Sequence, residues 1–216
     1  MELKDIDILY RNSIKNTITQ LKETASKIEN EYSFDLNKKE VSVAILERLK
    51  DFYITQQKTK IFLNKRYQTA GADFFVETII FFIQLYLKSK ESVLEVHSER
   101  QIRPKKKMIR PDISIWKENE VVAIIECKTQ LGWNRNNWEN DFISRKKKLT
   151  DEFQDASAFL LVMTGLNWEG FDNSKKLGAE YFCFLDKVWP TDYSTEQEIM
   201  TPIEKLLEII IQLENK

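Results

Sequence analysis

No glycine or proline interrupts the first seventy residues of the chain: the first glycine is Gly71 and the first proline Pro104. A stretch free of both breakers favours long helices, because glycine adds backbone entropy to be lost and proline removes a backbone donor. Ile6, Leu9, Tyr10, Ile14, Ile18, Leu21, Ala25 and Ile28 recur at three- and four-residue steps and predict an amphipathic helix over about 4–29. Asp35 or Asn37 suits the cap of a second helix, with Val41, Ile45, Leu49, Phe52 and Tyr53 on one face. Residues 72–88, ADFFVETIIFFIQLYLK, predict a third helix that is apolar nearly all round, as buried helices are. Its polar exceptions, Asp73, Glu77 and Gln84, stand out for that reason.

The pattern then turns to strands. Residues 92–99 alternate, 112–116 (DISIW) are short and β-rich, and 121–127 (VVAIIEC) form a near-continuous apolar run suited to a strand covered on both faces. Residues 159–163 and 181–185 read as two more strands, with helices at about 136–153, 172–176 and 196–213. The fold class expected is α/β, a central mixed sheet of about five strands flanked by helices, with an N-terminal helical region. A soft boundary near Gly71 separates residues 1–70, available for dimerisation or target recognition or packed on the core, from a core over 71–216.

Composition narrows the function. A chain of 216 residues, 42% hydrophobic and 31% charged, has the size and apolar content of one folded domain, with or without an appendage. It has no run of 18 apolar residues, and its start, MELKDIDILYR, has no apolar signal-peptide core. Two cysteines build neither a disulfide framework nor a Cys-rich zinc site, so a cytoplasmic protein is expected. A single histidine, His97, excludes chemistry that needs two, and none of the five glycines falls in a phosphate- or dinucleotide-binding pattern. The net charge of −1 hides a balance of +3 over 1–90, +4 over 91–150 and −8 over 151–216. Such asymmetry fits either a basic face for a polyanion or a solvated surface of uneven sign.

The most informative stretch is RPDISIWKENEVVAIIECK, residues 110–128. Its two β segments, joined by Lys117-Glu118-Asn119-Glu120, read as a hairpin. A three-residue loop over 118–120 sets Asp112 directly opposite Glu126, on one face with Lys128; a two-residue loop would break that alignment. Two carboxylates so close repel unless a cation lies between them, and oxygen ligands suit Mg²⁺ or Mn²⁺ rather than Zn²⁺. A lysine beside them orients water and neutralises phosphate charge. Together they are equipment for phosphodiester hydrolysis. The competing reading is a solvated hairpin, against which stands a charged pair closing an apolar run.

Pro111-Asp112, followed by Glu126-Cys127-Lys128, resembles the PD-(D/E)XK nuclease superfamily with its restriction-endonuclease-like fold, over about 71–185. The resemblance implies Asp112 as central metal ligand, Glu126 as the second and the Cys127 backbone carbonyl as a third. It implies that Lys128 orients the attacking water and the scissile phosphate. The further acid many members carry on the preceding helix falls on Glu77, with Asp73 as runner-up and Glu95 and Glu99 as alternatives. The cofactor implied is Mg²⁺, with Mn²⁺ as substitute. The QxxxY signature of exonuclease-like members is not matched: Gln130 is followed four residues on by Asn134, and Gln154 by Ala158.

Arg103, Lys105, Lys106, Lys107 and Arg110 crowd just before Asp112 and, with Arg135 beyond the motif, are the expected nucleic-acid contacts. Trp133, Trp138, Cys183 and His97 fit structural roles better. The expected activity is a Mg²⁺-dependent DNA endonuclease in restriction or defence, acting on double-stranded DNA as a homodimer or with a partner subunit. Repair, junction resolution, transposition, RNA cleavage and a catalytically silent binding module are the alternatives.

Overall fold

The computed structural model of the protein describes residues 2–104, 106, 108–131, 135–166 and 174–215, the side chains of 135–137 aside. Two compact units divide between Asp35 and Leu36. In the first, α1 (Leu3–Ile6) and α2 (Ile8–Glu31) follow the predicted periodicity, separated at Asp7, which keeps helical angles (φ −71°, ψ −8°). No residue of α2 is buried, and Leu9, Tyr10, Ile14 and Ile18 of its apolar stripe are exposed.

The second unit contains α3 (Glu40–Phe62), α4 (Ala72–Ser89), β1 (Leu94–Ser98), β2 (Ile113–Lys117), β3 (Glu120–Gln130), α5 (Arg135–Thr150), β4 (Ser157–Thr164), β5 (Tyr181–Leu185) and α6 (Ile203–Gln212). The strands form the one mixed five-stranded sheet expected, and their order is β1-β2-β3-β4-β5. The first two pairings are antiparallel and the last two parallel. Phe142 and Leu149 of α5 join Ile124, Leu160 and Val162 in a buried cluster on one face of the sheet. Helix α4 packs against β1 and β3 from the other face. Both faces being covered explains why 121–127 and 159–163 show no polar alternation.

The boundary expected near Gly71 moves to Asp35/Leu36 because α3 belongs to the core. It buries Ile45, Leu46, Leu49 and Tyr53 and packs against α4 and α6. At Gly71 the approach of α3 is so close that a Cβ would collide with the Tyr53 hydroxyl. Helices α3 and α6 also cap each other. Glu204, in the first turn of α6, accepts from the backbone N–H groups of Val41 (2.8 Å) and Ser42 (3.0 Å) and from the Ser42 hydroxyl. Ser42 Oγ in turn accepts from the N–H of Ile203 at 2.8 Å.

The last helix begins at Ile203 rather than near 196. Proline at 202 drives the preceding residue out of the helical region. Thr201 instead lies in a bend beside β5, where its N–H donates to the Cys183 carbonyl at 2.9 Å. The helix expected over 172–176 lies partly outside the described residues, and 174–176 are not helical.

Candidate active site

The β2–β3 hairpin reaches the expected alignment by an unexpected route. Lys117 pairs with Glu120 and Trp116 with Val121, so the loop is the two residues Glu118-Asn119. The register then shifts between Ile115 and Trp116, and Ile115 pairs with Ala123 and Ile113 with Ile125. Val122 is the extra residue of a bulge that restores the one-residue offset the short loop removes. Asp112, one residue before β2, therefore still stands opposite Glu126. Glu118 bears the tight turn at φ 55°, a left-handed conformation unusual for a residue with a Cβ.

Alternation along β3 sends Ile124, Glu126 and Lys128 to the α5 face and Ala123, Ile125 and Cys127 to the α4 face. Lys128 Nζ lies 3.8 Å from Asp112 Oδ2 and 4.0 Å from Glu126 Oε2. Arg145 of α5 donates from Nη1 to Glu126 Oε1 at 2.9 Å. Asp112 Oδ2 also accepts the Cys127 N–H at 2.7 Å. In an extended strand the N–H and C=O of one residue point to the same side, so the Cys127 carbonyl projects toward Asp112 as well. Continuing the register sets Pro111 opposite Cys127, and proline has no N–H to give that carbonyl. The Cys127 thiol is buried and its pKa is pushed well above the ordinary value by that burial, then by Asp112 and Glu126. It is no nucleophile.

Glu126 is 2% exposed. Burial pushes its carboxyl from the ordinary 4.5 up to about 6; Arg145 and Lys128 oppose the rise, and the Asp112 carboxylate adds to it. Between those two values the folded chain holds a proton that the unfolded chain has lost. Stability therefore falls as pH rises through the window and levels off above it, by about 2 kcal/mol in all. Glu126→Gln is expected to lose this component. Urea unfolding in EDTA at pH 4.5 and pH 7 checks it: the wild type should lose more stability across the interval than the variant, and equal losses contradict the assignment.

Two clefts meet at Lys128. One, of about 620 Å³, is lined by Arg110, Lys128, Arg145 and Lys148 around Glu126 and Asp141, with Trp138 and Phe142 as apolar wall. The other, of about 460 Å³, is lined by Asp73, Glu77, Glu99 and Asp112, with Lys128 as its basic member. The site thus has a basic side and an acidic side. Among the described residues no three His, Cys, Asp or Glu side chains gather at metal-holding distance. Asp112 and Glu126 stand as a pair, and Glu77, Asp73 and Glu99 line the acidic cleft with Asp112 without closing on it.

Of the expected nucleic-acid contacts, Arg110 lines the basic cleft and Lys106 is exposed. Arg103 turns away: its guanidinium lies 4.2 Å over the Phe153 ring and 3.8 Å from Glu152, in a different cleft. Lys105, Lys107 and Trp133 and the side chain of Arg135 lie outside the described residues. The basic loop is tied at its base by buried Ile102 and Ile109, whose backbones bond at 3.3 Å. His97 lies within 3.1 Å of Glu95 and 2.8 Å of Arg100, on β1.

Arg145 is not among the contacts expected from the sequence. Its signal was present. It lies three residues after Phe142 and four before Leu149, both buried, so it occupies the core-facing stripe where a cation needs a partner.

No family model matches the chain, and no curated protein matches it. Among solved structures, a chain of the native BbvCI A2B2 tetramer is similar at 10% identity and a TM-score of 0.39, over 97% of this chain and 90% of that one. Among the described residues no helix is long and apolar enough to cross a membrane.

Proposed function

We propose that the protein is a divalent-metal-dependent endonuclease of the PD-(D/E)XK type, hydrolysing phosphodiester bonds of double-stranded DNA in a restriction or defence role. The observation that carries this reading is Asp112 facing a buried Glu126 across the hairpin, with Lys128 Nζ within 4.0 Å of both. A buried carboxylate beside a second carboxylate calls for a cation, and the donors present are all oxygens: Asp112, Glu126 and the Cys127 carbonyl. That set fits Mg²⁺ or Mn²⁺. When bound, such an ion neutralises phosphate charge and lowers the pKa of bound water.

The remaining roles belong to side chains. Lys128, 45% exposed where the two clefts meet, donates to the attacking water and to a phosphate oxygen. Arg110 and Lys148 hold neighbouring phosphates along the basic cleft. Glu77 or Asp73 supplies a further acid from α4. The exposed apolar stripe of α2 suits pairing with a second copy or a partner subunit, which would bring a second active site for concerted cutting of both strands. Incubating supercoiled plasmid with the protein in Mg²⁺, Mn²⁺ or EDTA tests the reading. Discrete fragments or nicking in the metal lanes support it. Intact plasmid in every lane, with single-stranded, branched and RNA substrates equally intact, contradicts it.

A further inference from the structure

We infer that Arg145 is a positioning residue that stands in for the divalent ion at Glu126 and passes to a nucleic-acid phosphate once the ion takes that carboxylate; this rests on the nuclease reading above. Three observations carry it. The Arg145 guanidinium is the near cation of Glu126, at 2.9 Å against 4.0 Å for Lys128. Glu126 is almost wholly buried, so it needs a cation whenever it is ionised. Arg145 itself is 39% exposed and lines the cleft that also holds Arg110, Lys128 and Lys148. It therefore reaches both the carboxylate and the place where a phosphate chain would lie.

Two cations at one carboxylate repel each other, so an ion and Arg145 compete for Glu126. The coupling is reciprocal: the ion weakens the Arg145–Glu126 pair as much as Arg145 weakens ion binding. A released guanidinium presents a planar fork of donors that matches phosphate geometry. The Arg110 carbonyl, which accepts from Arg145 Nη1 at 3.4 Å, keeps the arginine beside the basic loop during the exchange.

The test uses the full chain and Arg145→Gln, with Arg145→Lys as the conservative variant. Mn²⁺ binding is followed by titration calorimetry at pH 8. Binding to a fluorescein-labelled duplex is followed in Ca²⁺ over a salt series. Arg145→Gln is expected to bind Mn²⁺ about tenfold more tightly, because its competitor is gone. It should bind the duplex about tenfold more weakly, with the slope of log affinity against log salt reduced by about one. Arg145→Lys should stay near wild type in both. An arginine that only neutralises Glu126 would leave duplex affinity and the salt slope alone on removal, even if Mn²⁺ binding tightened; one that only supports the fold would not tighten Mn²⁺ binding. Either result in a cooperatively melting variant overturns the inference. Should Arg145→Gln not fold, Mg²⁺ titration of ¹⁵N-labelled wild type reads the same exchange: the Arg145 Nε–H signal moves if the pair opens, and a stationary signal overturns it. A wild type that binds neither Mn²⁺ nor duplex removes the nuclease reading and this inference together. One that binds both, beside a Gln variant with unaltered Mn²⁺ affinity, removes the inference alone.

Discussion

Lys128→Ala is expected to lower plasmid cleavage by about 10²–10³-fold or more while leaving duplex binding within a few-fold of wild type. The size follows from position. Nζ lies 3.8 Å from Asp112 Oδ2 and 4.0 Å from Glu126 Oε2, at the junction of the acidic and basic clefts. Under the proposed function it donates to a water and a phosphate oxygen whose charge grows in the transition state. Such a donor acts on the rate more than on ground-state binding. Being 45% exposed, it is no part of the core, so a loss of activity is not a loss of fold. Lys128→Arg keeps the charge but lengthens and flattens the donor, and should recover little. Single-turnover cleavage beside a thermal melt measures both sides. Activity within tenfold of wild type in a folded Ala variant would remove Lys128 from the reaction.

Glu204→Ala is expected to cost roughly 3–5 kcal/mol of stability, the largest effect of any single truncation considered. Glu204 is 1% exposed and accepts from two backbone N–H groups at the start of α3 and from the Ser42 hydroxyl. Its removal leaves those donors buried without their acceptor and takes a negative charge from the positive end of α3. Ser42 also caps Ile203, so the damage spreads to the start of α6. Glu204→Gln keeps the volume and one acceptor, and should cost less than half as much. Urea unfolding reads both variants. A change below about 1 kcal/mol for the alanine variant would mean that the mutual cap is not a principal tie between α3 and α6.

The elements were largely legible because their periodicities were strong. The five strands fell within a few residues of their places, since apolar runs bounded by polar turns admit few readings. The α3 contribution was not legible: a helix with one apolar face does not announce whether it covers this core or another surface. Nor was the true start of α6, although Pro202 marked it, because the apolar periodicity continues through 196–201 in weaker form. At the site, the pairing of Asp112 with Glu126 was foreseen for an incomplete reason. A two-residue loop and a bulge at Val122 give the same offset as the three-residue loop expected from the sequence. Bulges have no reliable signature in a single sequence, so agreement at the carboxylates did not test the loop. Arg103 shows the converse: charge near a motif says nothing about which way a side chain turns, and Phe153 with Glu152 holds this one elsewhere.

The central claim, that Asp112 and Glu126 together hold a divalent ion, is tested most directly by calorimetric titration of Mn²⁺ into the wild type and into Asp112→Ala at pH 8. Saturable binding to the wild-type site, abolished in the variant, is expected, with both proteins melting cooperatively. Equal Mn²⁺ binding by the two proteins, or none by the wild type in the presence of DNA, would contradict it.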